Sequence, residues 1–178
     1  MTQQGVDARA RGDVDVALRR FKDALEIDAT FEQAYLELAS LREATGELEE
    51  AEHVLAIGME RIPGFTRAAE ARAALLSRAR RFDEATDAYS SVLRDKRDDA
   101  ATLTRLVEVA PHAGQFLVAL AAARRLFQVA SGQGNAQLAS DARLSSRALS
   151  LLVGELDPVT SGRRSPNPVR RAIARASM

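Results

Sequence analysis

Four alanines recur in this chain at one constant interval, at Ala17, Ala51, Ala85 and Ala119. Five positions before each of them is a site that suits a tight turn, which is occupied by Gly12, Gly46, Arg80 and Gly114. A fixed period of about 20 to 50 residues is typical of proteins built from stacked structural repeats. The period therefore favours a repeat architecture before any catalytic motif is considered.

The segment at residues 32–63 indicates what one repeat folds into. Its first half predicts a helix from about Glu32 to Ala44, because large and small residues recur three and four positions apart at Tyr35, Leu38, Ala39 and Arg42. Gly46 ends this helix, since glycine adopts the left-handed conformation of a helix end. The second half predicts a helix from about Leu48 to Arg61, whose inner face carries Ala51, Leu55, Gly58 and Met59.

The two predicted helices are joined by a very short turn, so they must lie antiparallel and close together. Ala39, Ala51 and Gly58 are small enough to let the two backbones approach, while larger residues fill the spaces between them. The sequence thus predicts an all-α protein of stacked helix pairs.

These positions resemble the tetratricopeptide repeats, whose pattern is W-x2-L-G-x2-Y, then A-x3-F, then P, within a repeat of about 34 residues. The second unit matches through Tyr35, Leu38, Ala51, Leu55 and Pro63. The resemblance implies a right-handed α-solenoid with repeats at about 1–31, 32–65, 66–99 and 100–133, followed by a capping helix at 135–153. The first helix of the fourth repeat is expected to end near Ala110, because Pro111 cannot continue it.

Residues after the repeats predict less regular structure. The glycines of the segment 131–134 suggest a loop, since no strand precedes them and the fuller phosphate-binding pattern is missing. Residues 154–178 are expected to form a flexible basic tail, with a short amphipathic helix at 167–177. Such a segment could contact a membrane surface weakly, an acidic partner or the acidic first half of the chain, although a frayed tail or a continuation into another domain is the expected case. No other membrane contact is expected.

Composition excludes several classes of protein. The chain has no cysteine, which removes disulfides and thiolate sites. No apolar run approaches the roughly 20 residues that span a bilayer, and the amino terminus does not resemble a secretory signal, so a cytoplasmic location is predicted. Arginine outnumbers lysine 23 to 2, which fits a bacterial genome rich in G and C.

The resemblance also implies where a partner would bind. Tetratricopeptide repeats present a concave surface lined by the free face of each first helix. In this sequence that face is expected to carry Gln33, Glu37, Ser40, Glu43, Arg67, Glu70, Ser77, Arg78, Thr104, Arg105, Glu108 and His112. These residues are polar and of both charge signs, which suits a peptide or helix with alternating charges.

One role within the family can be argued against. Repeats that hold acidic chaperone tails use a clamp of lysine, asparagine and arginine on this face. The matching positions here are occupied by Thr2, Val6, Glu37, Arg67 and Ala71, and only the arginine is suitable. A chaperone tail is therefore not the expected ligand.

The sequence predicts a non-catalytic interaction module, acting as an adaptor, scaffold or assembly factor, with a protein or peptide partner. The alternative is an interaction or regulatory domain of a larger multidomain protein. No enzyme, metal, cofactor or small-molecule substrate is expected: His53 and His112 are isolated, and Glu49, Glu50 and Glu52 form a solvated helix face. Nucleic acid is not expected either, although residues 101–178 carry 10 bases against 4 acids, because aromatic side chains are not interleaved with them. No oligomeric state is predicted.

Overall fold

A computed structural model describes residues 2–154, and within that range the chain forms helices without any β-strand. The α-helices are α1 (Thr2–Ala10), α2 (Val14–Ile27), α3 (Glu32–Ala44), α4 (Leu48–Arg61), α5 (Thr66–Arg78), α6 (Phe82–Asp95), α7 (Ala100–Val109), α8 (Phe116–Gly132) and α9 (Ala136–Val153). They fall into two compact units, of which the first ends at Asp95 and the second begins at Lys96. None of these helices is long and apolar enough to cross a membrane.

The first unit contains three helix pairs. Helix α1 packs on α2, α3 on α4 and α5 on α6, and each pair contacts the next through α2 with α3 and α4 with α5. The bounds predicted for the second pair, Glu32–Ala44 and Leu48–Arg61, are confirmed. This agreement follows from the helical spacing of the apolar residues and from the single turn residue between the two helices.

Left-handed turn residues separate the helices of the pairs. Gly12, Gly46 and Gly114 have φ angles of 82°, 83° and 71°, and Arg80 holds the same conformation with φ 61°. The backbone amide of the residue after each of the first three turn residues in the chain returns to the helix before it, as Glu47 does to the carbonyl of Arg42. These turns reverse the chain within a few residues, which makes the two helices of a pair antiparallel.

The periodic alanines lie at the helix contacts. Ala17, Ala51 and Ala85 in the first unit are completely buried, as is Ala119 in the second. Around Ala51 the core is formed by Tyr35, Ala39, Leu55, Phe65, Ala68 and Leu75. The helices can approach closely because only a methyl group occupies each contact. The constant interval between the alanines therefore reflects the repeated packing of the helix pairs.

Two expectations for the first unit are corrected. Met59 does not lie on the inner face of α4, because its side chain is 38% exposed, whereas Ala51, Leu55 and Gly58 are buried. Glu52 is not part of a solvated face, since only 17% of its side chain is exposed and it binds two arginines.

The second unit contains α7, α8 and α9. As expected from Pro111, α7 stops at Val109, and Ala110–Ala113 form a 3-10 helix instead. The segment 131–134 is only partly a loop, because α8 continues to Gly132. Helix α9 (Ala136–Val153) occupies the region predicted as a helix at 135–153. The predicted tail and its helix at 167–177 lie outside the described residues.

Candidate partner-binding surface

The first helices of the first unit carry a row of polar side chains on one face. On α3 these are Gln33, Glu37, Ser40 and Glu43, which are spaced three or four residues apart and are all partly buried. The structure joins this row to α1 on one side and to α5 on the other. We call the side chains that these hydrogen bonds connect the first-helix ladder: Arg9, Gln33, Glu37, Ser40, Glu43 and Arg78, with Arg67 at its edge.

Arg9 of α1 makes the link between the first and second repeats. Its guanidinium donates to Glu37 Oε2 at 2.9 Å and to Ser40 Oγ at 3.1 Å. Within α3, the Gln33 amide donates to the other oxygen of the Glu37 carboxylate at 2.7 Å. One carboxylate therefore receives hydrogen bonds from two helices.

Two arginines of α5 make the link between the second and third repeats. Arg67 donates to the Gln33 side-chain oxygen at 3.4 Å. Arg78 binds both oxygens of the Glu43 carboxylate, through its Nε and, at 2.9 Å, through NH2. Planar pairs of this kind fix the relative orientation of the two side chains as well as attracting them.

The predicted face residues thus have different surroundings in the first unit. Five of them, together with Arg9, form the ladder: Gln33, Glu37, Ser40, Glu43 and Arg78, with Arg67 at its edge through the long bond to Gln33. The other two, Glu70 and Ser77, are partly buried on α5.

Three of the predicted face residues of the second unit, Thr104, Arg105 and Glu108, make local contacts. The Thr104 hydroxyl donates to the carbonyl of Ala100 at 2.7 Å, and Arg105 pairs with Glu108 at 3.2 Å, so these bonds stay within α7. His112 is exposed in the 3-10 helix that follows. The polar face of α7 is therefore less constrained than that of α3.

Sequence reasoning missed Arg9, although the signal was available. Arg9 lies one full repeat period before Glu43, in the same column of the repeat. The large apolar residues that mark the first helices of the other repeats are missing from α1, which has only Val6 and alanines, so its polar face is easily overlooked. The repeat period predicts the polar face of each first helix as well as it predicts the buried face.

A second group of charges joins the second and third repeats at α4. Glu52 receives hydrogen bonds from Arg72 at 3.0 and 2.5 Å and from Arg81 at 2.6 Å, and Arg81 also binds Glu84. Burial acts to raise the pKa of Glu52, but the hydrogen bonds from Arg72 and Arg81 outweigh it and hold the pKa below its ordinary value. No periodic signal predicts this group, because its members are not separated by the repeat period.

His53 lies beside a pocket of about 390 Å³ between α2, α3 and α4. The pocket is lined by Lys22, Leu38, Arg42, Glu49, Glu50, His53 and Val54. Among the described residues, no group of three or more histidine, aspartate and glutamate side chains is arranged to hold a metal ion.

Comparison with known proteins identifies the repeats. Residues 8–75 match the model of the tetratricopeptide repeat family. Tetratricopeptide repeat protein 21A of Mus musculus is 33% identical over 113 residues, which make up 64% of this chain and 9% of that protein. The chain thus spans about a tenth of the length of this curated relative. The resemblance stated from the sequence is confirmed.

Solved structures with the same fold include two of MamA. One crystal structure of MamA has a TM-score of 0.59 and 17% identity, over 85% of this chain and 97% of that chain. The structure of MamA from Desulfovibrio magneticus RS-1, which begins at residue 41, has a TM-score of 0.58 and 14% identity. The match covers 82% of this chain and 90% of that chain. At these identities the similarity concerns the fold alone, and it confirms the predicted fold class of an all-α solenoid of helix pairs.

Proposed function

We propose that this chain, a tetratricopeptide repeat protein, is a non-catalytic interaction module that holds a peptide or helix of a partner protein on the faces of its first helices. In the first unit the proposed contact residues are those of the first-helix ladder, with Glu70 and Ser77. In the second unit they are Thr104, Arg105, Glu108 and His112. A module that binds a partner without catalysing a reaction acts as an adaptor, a scaffold or an assembly factor.

The observation that supports this proposal most is the charge pattern of the ladder. The charge changes sign from one first helix to the next: Arg9 on α1 is positive, Glu37 and Glu43 on α3 are negative, and Arg78 on α5 is positive. Each of these side chains is at least one-fifth exposed. A partner carboxylate can take over the guanidinium of Arg78, and a partner cation can take over Glu43, without either group losing a charged neighbour. Exchange of this kind favours a partner segment whose own charges alternate.

The same pattern argues against an apolar ligand on this face. The side chains of the ladder are charged or carry amide or hydroxyl groups, and desolvating them against a greasy surface would leave buried polar atoms without partners. A peptide backbone or a polar helix supplies replacements for those hydrogen bonds.

Site-specific photocrosslinking in the native cell tests the proposal. A photoreactive amino acid is placed at Gln33, on the proposed face, and in a matched variant at Asp87, an exposed position on α6. We expect a discrete protein adduct from position 33 and none of that mass from position 87. Equal adducts from both positions would show that the face is not selective.

A charge swap adds a second test of the same surface. The double variant E43R/R78E exchanges the two residues of the ion pair between Glu43 and Arg78. The pair within the molecule is kept, while the charges that it presents to a partner are reversed. The adduct at position 33 is expected to fall at least tenfold while the circular dichroism spectrum stays unchanged. An adduct of unchanged yield would contradict a role for these charges.

The alternative, a regulatory or interaction domain of a larger protein, is supported by the length of the mouse relative, of which the chain spans 9%. Under this alternative the crosslinked segment belongs to the same polypeptide as the repeats. Mass spectrometry of the adduct distinguishes the two, because it reads the sequence of the captured peptide. A cytoplasmic location and a bacterial origin stay predictions.

A further inference from the structure

Helix α9 exposes an apolar stripe on the side opposite its buried residues. Leu144 and Leu151 are 62% and 71% exposed, and Ala148 lies between them along the same line of the helix. The stripe spans about 10 Å, because a helix rises about 1.5 Å per residue. Its buried side, with Ala139, Ala142 and Leu149, packs within the second unit.

This exposed stripe differs from what the end of a repeat array requires. A terminal helix that only closes an array carries a polar outer face, since leucines in water promote association. In each earlier pair, the second helix packs on the first, as α4 does on α3 and α8 does on α7. No described residue packs in the corresponding way on the stripe of α9.

One end of the stripe opens into a pocket. The pocket has a volume of about 350 Å³ and is lined by Phe127, Ala136, Ala139, Ser140, Arg143 and Leu144. Phe127 comes from α8, and its side chain is 37% exposed. The two helices thus form a groove that can receive a large apolar side chain next to the stripe.

The charges beside the stripe indicate the kind of partner. Arg143 and Arg147 are exposed, one residue before Leu144 and Ala148, so they run along one flank of the stripe. Neither arginine pairs with an acid within the described part of the chain. On the other flank, Asp141 already accepts hydrogen bonds from Gln137 at 3.1 and 3.2 Å. Among the residues that the structure describes, no acidic side chain therefore neutralises the positive charge of this groove.

We propose that the stripe of α9 and the pocket at Phe127 bind an amphipathic helix of a partner protein, with leucine-like residues on its inner face and acidic residues along one edge. The acidic edge pairs with Arg143 and Arg147, while the inner face covers Leu144, Ala148 and Leu151. The chain's own residues 155–178 fit less well, since they carry five arginines against two acids. This site is separate from the first-helix ladder and does not depend on the function proposed for it.

A pair of synthetic helical peptides tests the proposal on the full chain. Both are fluorescein-labelled 18-residue amphipathic helices with leucines on one face, and they differ only in having glutamate or lysine along one edge. In fluorescence anisotropy, the glutamate peptide is expected to bind at least tenfold more tightly than the lysine peptide. Equal affinities would overturn the proposal.

Variants of the groove make the test specific. R143E/R147E is expected to reverse the preference between the two peptides, and L144A/L151A to weaken the glutamate peptide at least tenfold. I27A removes a leucine-sized side chain that is 72% exposed in the first unit and is expected to change nothing. The swap E43R/R78E is also expected to leave the affinity unchanged, which separates this site from the ladder. Unaltered binding by L144A/L151A would contradict the proposal.

Two other occupants give distinct results. A second copy on the stripe would appear as a dimer in sedimentation that L144A/L151A dissociates. The chain's own tail would be revealed in the variant A148C/A172C by complete disulfide formation within one molecule, which is readable because the chain has no other cysteine. Either result would overturn the proposal.

Discussion

Gly58 of α4 lies against the ring of Tyr35 on α3, so closely that a Cβ atom at position 58 would be 3.0 Å from Tyr35 Cγ. It would also be 3.2 Å from Phe65 Cε1, and Phe65 packs edge-on to Tyr35 with ring centroids 6.4 Å apart. The glycine is therefore required by the two rings, which are themselves fixed in the core of the second repeat.

We expect Gly58→Ala to lower the free energy of unfolding by about 1 kcal/mol, because crowding of about 1–3 kcal/mol exceeds the helix propensity gained, about 0.5–1 kcal/mol. Urea denaturation followed by circular dichroism measures the change. The matched control is Gly132→Ala in α8, where an added Cβ meets nothing within 4 Å. A Gly58→Ala protein more stable than the parent would show that the rings can move aside.

Ala51 is the best position at which to test the meaning of the repeat period. It is completely buried between helices, so Ala51→Leu is expected to cost about 1–3 kcal/mol of stability through overpacking. Ala121→Leu, at an exposed position of α8, is the control and is expected to change stability by less than about 0.5 kcal/mol. Equal thermal melts for the two variants would contradict the assignment of Ala51 to a helix contact.

The buried side of this fold could be predicted from sequence, and the reason is local. Ala51 and Leu55 are four residues apart, so they lie on one face of a helix, and the same spacing recurs one repeat period later at Ala85 and Tyr89. Each repeat therefore gives independent evidence for the same buried face. Met59 was wrongly assigned to the inner face of α4 because it lies at the edge of that face. It follows the buried Gly58 by one residue, and a step of one residue turns the side chain toward solvent. The period defines the centre of a face better than its edge.

Arg80 adopts the left-handed conformation that glycine holds at the equivalent turns, with φ 61°. A residue with a Cβ pays about 1–2 kcal/mol for that conformation, although its guanidinium stacks over Phe82 at 6.0 Å. We expect Arg80→Gly to raise the free energy of unfolding by about 0.5–1 kcal/mol, measured by urea denaturation.

The converse substitution is the control for this turn. Gly46→Ala places a side chain at φ 83° and is expected to destabilise the protein by about 1 kcal/mol. If Arg80→Gly were destabilising instead, the contact with Phe82 would contribute more than the backbone conformation costs.

The polar contacts could be predicted only in part. Residues of the first-helix face follow from the repeat frame, which is why Glu43 and Arg78 were identified without a structure. Their pairing depends on how far each repeat is rotated from the one before, and the period carries no information about that angle. Glu52 was misread for the same reason, since Arg72 and Arg81 approach it from the next repeat.

Glu52 predicts a pH dependence of stability. Its pKa in the folded protein lies below the ordinary value of 4.5, because the hydrogen bonds from Arg72 and Arg81 outweigh the effect of burial. A lowered pKa means that the stabilisation is fully present above the ordinary pKa and is lost as the pH falls through the folded value. We expect Glu52→Gln to lower the free energy of unfolding by about 1 kcal/mol near neutral pH.

The difference between the parent and Glu52→Gln should shrink as the pH is lowered from about 7 to about 3, since protonation removes the same charge in the parent. Urea denaturation at several pH values measures it. Glu60→Gln, at an exposed position on the same helix, controls for the loss of a carboxylate without these arginines and should show little difference at any pH. A Glu52→Gln difference that stays constant over this range would mean that the carboxylate charge does not join the second repeat to the third.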